Sequence, residues 1–146
     1  MREIKEIIIH CSDSETATGN DVLAWHINGN GWDDVGYHYI IEKSGELKAG
    51  RPLQIQGAHC LGHNRKSIGI CLIGRDKFSF EQLEQLRRLI YNIELLVNSM
   101  IKLEIKAHYE YNESKTCPNI DADLLREYLK CEKYKRREEI YKKMGV

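Results

Sequence analysis

Glu6-Ile7-Ile8-Ile9-His10-Cys11 is an unbroken apolar run that closes on a histidine. Its length suits a strand better than a helix, and its lack of alternation suits a strand covered on both faces. Ser67 to Ile73 reads the same way, and Leu103 to Ala107 resembles another strand that also ends in a histidine, His108. The intervening segments carry helical and turn signals. Ser79 and Gln82 form a capping box, and Leu83, Leu86, Ile90, Ile93, Val97 and Met100 recur at three- and four-residue steps, predicting a helix from Ser79 to Met100. A short helix is expected from Asp21 to Asn28, capped by Asn20 and stopped by Gly29 and Gly31. Gly36 to Glu42, the turn formers Ser44 and Gly45, and Glu46 to Ala49 predict a hairpin. Asp121 opens a last helix that buries Leu124, Leu125, Tyr128 and Leu129, becomes strongly charged, and is expected to project beyond the core. The expected fold is α/β, a single domain with a mixed central sheet of about five strands flanked by helices.

Composition bounds the partners. The chain has 146 residues, 42% of them hydrophobic, and only two prolines, which suits one compact domain over residues 1–130 with a charged helical extension over 131–146. Lysine plus arginine equals aspartate plus glutamate at 22 each, so nothing argues for a nucleic-acid backbone as partner. Seven basic and three acidic residues lie between Lys130 and Lys143. Such a run usually forms a solvated helix face, although it could also hold a protein near an anionic envelope. The start, Met1-Arg2-Glu3-Ile4-Lys5-Glu6, is too charged and too short for a signal peptide, and no span reaches membrane-crossing length. We therefore expect synthesis in the cytoplasm and a monomer. The five cysteines Cys11, Cys60, Cys71, Cys117 and Cys131 are odd in number and lack paired spacing, which argues against a disulfide framework.

His10 and His108 both end expected strands, and strand ends along one sheet edge are where α/β folds gather functional side chains. Cys117 follows His108 by nine residues, so a loop can bring its thiol back to the imidazoles. Two histidines and a cysteine make a three-ligand zinc set with a fourth position open for water. Spacing alone leaves a plainer reading open: a strand-end histidine is more often hydrogen-bonded structure, and Cys-Pro is usually an ordinary buried thiol.

An ordered series of motifs narrows the choice. It runs Ile9-His10-Cys11-Ser12, Trp25-His26, Gly31-Trp32, Asp34-Val35-Gly36-Tyr37-His38-Tyr39-Ile40-Ile41 and Ala49-Gly50-Arg51. It continues with Gly57-Ala58-His59, His63-Asn64, Ser67-Ile68-Gly69-Ile70-Cys71-Leu72-Ile73-Gly74, Ala107-His108 and Lys115-Thr116-Cys117-Pro118. Over residues 7 to 125 the chain resembles the type 2 N-acetylmuramoyl-L-alanine amidases, particularly the amidase-type lysozymes (endolysins) of T-odd bacteriophages, with peptidoglycan-recognition proteins as more distant relatives. Two loop spacings are one residue longer than the phage pattern, between Trp25 and Tyr37 and between His108 and Lys115.

The resemblance implies that His10, His108 and Cys117 hold Zn2+, which activates water for attack on the amide between the lactyl group of N-acetylmuramic acid and L-alanine. It implies that Tyr37 and Lys115 are the catalytic tyrosine and lysine. Lys115 would stabilise an oxyanion, and Tyr37 would bond either the water or that oxyanion. It places His59 along the groove for peptidoglycan or muropeptide, where Trp32 and His63 are further candidates. Trp25, His26 and Trp32 also have a plain packing reading, and His38, next to Tyr37 on a strand, points to the opposite face. Two other activities follow from the same family: peptidoglycan binding without cleavage, and inhibition of a phage RNA polymerase. Retention of the full donor set argues against the first, and tyrosine at position 37 favours the lytic branch over muropeptide recycling enzymes, which carry glutamate there. A phage lytic enzyme without a leader would reach the wall through a membrane pore or on lysis.

Overall fold

In the computed structural model, which describes residues 2–26, 35–97 and 102–146, the triple-isoleucine strand lies inside the sheet. This strand, β1 (Glu6–Cys11), pairs in parallel with β4 (Ser67–Leu72) on one side and β5 (Glu104–Ala107) on the other. Beyond β4 lie β2 (Tyr39–Ile41), parallel to it, and β3 (Leu47–Ala49), antiparallel to β2 across a turn with Gly45 at φ +91°. The order is β3-β2-β4-β1-β5, a mixed five-stranded sheet as expected.

Strand alternation sends successive side chains to opposite faces. Ile7, Ile9, Ile68, Ile70, Leu72 and Ile41 build the main core. Over it pack α2 (Phe80–Val97) through Leu83, Leu86 and Ile93, and α3 (Ala122–Lys130) through Leu125 and Tyr128. On the other face Ile40, Cys71 and Ile73 meet Val22 of α1 (Gly19–Ala24) together with Val35 and Tyr37. That thinner layer leaves the sheet edge reachable at the C-terminal ends of β1 and β5. Gln82 joins the layers, its Nε2 donating to the carbonyls of Ile41 and Ile73, both at 2.9 Å.

Several boundaries move for identifiable reasons. The α1 cap is Thr18 rather than Asn20, because Thr18 and Asp21 form a reciprocal capping box one residue pair earlier. Ser79 does cap α2, accepting from Gln82 N at 3.0 Å. The expected ends at Asn28 and Met100 lie outside the described residues, as does Trp32. The last helix is two helices. After Cys131–Lys133 the chain turns into α4 (Tyr134–Met144), which folds back instead of projecting: Ile140 is fully buried and Tyr141 donates to the carbonyl of Phe78 at 2.6 Å. No described helix is long and apolar enough to cross a membrane.

Glu15 fastens the loop after β1 to the rest of the sheet. Its carboxylate pairs with Lys43 and accepts the backbone N–H groups of Asp76 (2.7 Å), Arg75 and Lys77 (both 3.1 Å). The lysine first, then these N–H groups, hold its pKa down to about 2. A depressed carboxylate stabilises the fold above its unfolded pKa near ~4.3 and loses that contribution as pH falls through its folded value. Glu15→Gln should therefore lower the melting temperature at pH 7, and the gap to the parent should shrink between pH 4.5 and 2. Melts in that range check this, and a pH-independent gap contradicts it.

Candidate metal centre

Strand register builds the centre. Ile9 pairs with Ala107 across β1 and β5, so the next residues, His10 and His108, emerge side by side, with ring centroids 4.4 Å apart. The loop after β5 is then tied to itself by Tyr109. Its N–H donates to the carbonyl of Cys117 (3.0 Å), its hydroxyl donates to the carbonyl of Ile120 (3.0 Å), and that hydroxyl accepts the N–H of Ala122 (2.8 Å). Tyr109 thus sets the path of the longer loop, a role its sequence position did not signal. Cys117 precedes a cis proline and returns to the two histidines. One donor atom each from His10, His108 and Cys117 lies within 4.8 Å of the others.

The electrostatics suit a cation. Burial, then neighbouring histidine charges, pulls His10 well below the usual imidazole range. Burial, then the Lys115 charge, lowers His108. Both rings are neutral at pH 7, the form that ligates metals. The hydrogen bond with the Cys11 thiol, then burial, pushes the Cys117 thiol up, while the Cys11 amide N–H, 3.0 Å from its sulfur, pulls the other way. A cation reverses that balance, since a coordinating thiol is deprotonated outright. Tetrahedral zinc with bonds of about 2.0–2.3 Å spaces its ligand atoms roughly 3.4–3.8 Å apart, so the donor set fits with a small closing movement. His10 is buried, but His108 and Cys117 are only half-buried, so the centre opens to solvent past them.

The other candidates surround this centre at different distances. Tyr37 is half-buried with its ring 5.1 Å from that of His10, packed against the layer that contains Cys71. Burial first, then the surrounding thiols, holds its pKa well above the usual phenol value. Lys115 is exposed and lines an open cavity of about 570 Å³ with Tyr109, Thr116 and Asn119, close enough for its charge to act on His108. His59 reaches further in than expected: its Nδ1 lies 2.9 Å from His10 Nε2. His63 is set apart, stacked on Tyr111 at 3.7 Å with Nδ1 3.4 Å from Glu6, at the start of β1 rather than its end. His38 lies on the same sheet face as the centre, its Nδ1 accepting Gly69 N–H at 3.1 Å and its Nε2 donating to the Ile55 carbonyl at 2.8 Å. It is buried and structural, with a pKa pulled to about 4 mainly by burial. His26 accepts Gly36 N–H at 2.8 Å, and Trp25 is 48% exposed.

A mixed α/β sheet with a solvent-open donor triad at the C-terminal edge of adjacent parallel strands defines a class, the single-domain α/β proteins with a candidate three-donor metal centre. The family model described as N-acetylmuramoyl-L-alanine amidase matches residues 1–120, and the chain belongs to that family. It is 37% identical over 129 residues to the endolysin of Escherichia phage T7, a match covering 79% of this chain and 80% of that protein. Among solved structures, the endolysin N-acetylmuramoyl-L-alanine amidase LysCS of Clostridium intestinale superposes with a TM-score of 0.71 at 25% identity, covering 80% of this chain and 76% of that one. Drosophila peptidoglycan-recognition protein LB shares the fold, with a TM-score of 0.73 at 24% identity over 90% of this chain and 83% of that one. The protein is an N-acetylmuramoyl-L-alanine amidase acting on peptidoglycan.

Proposed function

We propose that this amidase is a zinc enzyme of the phage lytic type, with His10, His108 and Cys117 as ligands and Tyr37 and Lys115 as the catalytic side chains. The observation that carries the reading is the convergence of those three donors within 4.8 Å on the open side of the sheet edge. Zinc bound there supplies a Lewis acid for the scissile carbonyl and acidifies water near neutral pH.

The chain's own residues do the rest. Tyr37, its pKa raised by burial, serves as a hydrogen-bond donor at the reacting groups. Lys115 brings an ammonium to the solvent side of His108, where negative charge develops on the carbonyl oxygen. The substrate lies along the open face, with the lactyl amide at the donor triad and His63, its side chain 35% exposed, reachable further along.

The test is hydrolysis of purified peptidoglycan by the protein as isolated, after chelation, and after zinc is restored, with product ends read by mass spectrometry. Lactyl-amide cleavage that disappears with the chelator and returns with zinc is the expected result. Cleavage that survives complete removal of metal sinks the zinc assignment.

A further inference from the structure

His59 is held in place from four sides. Asn64 Oδ1 accepts the backbone N–H of His59 at 2.9 Å and that of Cys60 at 3.0 Å, fixing the loop. The ring lies in a slot between two glycines. A Cβ at Gly57 would stand 2.5 Å from His59 Cδ2, and one at Gly69 would stand 2.5 Å from both Cγ and Cδ2. Across the ring, Nε2 is 3.2 Å from Ser67 Oγ and Nδ1 is 2.9 Å from His10 Nε2. Asn64, Gly57, Gly69 and Ser67 therefore all serve the placement of one imidazole against another.

Proton accounting gives this contact its meaning. Each neutral imidazole carries a single N–H. His10 Nε2 is engaged by His59, so Nδ1 is the atom free to ligate, and a lone pair on Nδ1 puts the proton on Nε2. That proton goes to His59 Nδ1, which leaves the His59 proton on Nε2, facing the Ser67 hydroxyl. The same chain run backwards, with Ser67 as donor, points an N–H into the donor triad and prevents ligation. Metal-bound histidines generally give their second N–H to such a partner, which orients the ring and raises its basicity.

We infer that His59 is a positioning residue for His10: it accepts the Nε2 proton and so holds that ring with Nδ1 aimed at the ion, a role distinct from lining the groove. This rests on the zinc reading above. It also explains why glycine stands at 69, where any side chain displaces the His59 ring; at 57 a side chain would meet both that ring and, at 2.7 Å, the Gly36 carbonyl oxygen.

The test compares zinc affinity of the purified protein with His59→Leu and His59→Asn, by competition with a chromogenic chelator. Nitrogen-15 spectra of the zinc-loaded forms report the His10 tautomer. Leucine fills the slot but accepts nothing, whereas asparagine Oδ1 takes the place of Nδ1. The leucine variant should bind zinc about 10–100-fold more weakly with an unchanged far-ultraviolet circular dichroism spectrum and lose the hydrogen-bonded Nε2 proton signal. The asparagine variant should recover most of both. Wild-type affinity in the leucine variant overturns the inference, as does an equal loss in both variants. If leucine prevents folding, the asparagine variant decides alone, near-parent affinity supporting the role and a loss of 10-fold or more opposing it. A parent protein that binds no zinc is a separate outcome, which fells the metal reading itself.

Discussion

Replacing Cys117 with serine is expected to abolish peptidoglycan cleavage and zinc retention while leaving the fold and wall binding in place. The substitution changes one atom at a half-buried position, and the backbone bond that seats the loop, Tyr109 N–H to the Cys117 carbonyl, does not involve the side chain. The Cys11 N–H that meets the sulfur at 3.0 Å finds the serine oxygen as acceptor, so no buried donor is stranded. What disappears is the anionic ligand. Two neutral imidazoles and an alcohol that does not ionise near neutral pH make a far poorer zinc site than the same imidazoles with a thiolate. The loss should exceed the roughly 10–100-fold that removal of an outer hydrogen-bond partner costs. Metal content after dialysis, turnover on purified walls, and co-sedimentation with those walls measure the three quantities separately. Lytic activity equal to the parent's would sink the ligand assignment, whereas loss of wall binding alongside cleavage would place Cys117 in substrate recognition.

The parts of this centre differ in how far the sequence exposed them. β1 and β4 were legible because an apolar run without alternation has few other uses, and β5 because Leu103, Ile105 and Ala107 alternate with polar residues ahead of a second histidine. That His10 and His108 then stand side by side follows from one register pair, Ile9 with Ala107. Cys117 was placed by the order of the motifs, not by its spacing. The residues that hold this donor set in place left no such trace. The His59 contact depends on the absence of side chains at Gly57 and Gly69, which lie 12 positions apart in the sequence and on different elements. The Cys11 amide contributes through its backbone, which no residue type reveals. His63 carries ligand chemistry, yet its stacking on Tyr111 and its contact with Glu6 hold it at the opposite end of β1. The charged C-terminal run misled for another reason. Its burial rests on Ile140, the partly buried Tyr141, Met144 and Val146, and one ion pair, set among so many charged residues that no apolar stripe stands out.

That ion pair carries the largest stability effect expected. Arg137 grips Glu84 of α2 with two parallel bonds, Nε to Oε2 at 2.9 Å and Nη2 to Oε1 at 2.8 Å, while its Nη1 donates to the Cys131 carbonyl at 3.0 Å and so fixes the corner between α3 and α4. Both side chains are nearly buried, 7% and 12% exposed, and Tyr128 donates to the same carboxylate at 2.8 Å. Burial pushes Glu84 up, but the hydrogen bonds from Arg137 and Tyr128 outweigh it and leave its pKa below the ordinary value. Arg137→Met removes that compensation and strands a carboxylate in the core, which costs about 3–5 kcal/mol. In a chain of this size the melting temperature should fall by about 10 °C. The pH dependence follows from the reversed shift. With Arg137 gone, burial dominates and the folded pKa of Glu84 rises above its unfolded value near ~4.3, so the penalty is full at pH 7 and fades as the carboxyl is protonated. The gap between variant and parent should therefore narrow toward pH 4. A double change to Arg137→Met and Glu84→Met should recover much of the loss, because it leaves no unpaired charge. Thermal melts of the three proteins at pH 7 and pH 4 decide it, and a single variant within about 1 kcal/mol of the parent at pH 7 contradicts the argument. Because this pair sits on the sheet face away from the donor triad, turnover measured well below the melting temperature should stay at the parent's level, separating the helix that braces the fold from the edge that carries the donor triad.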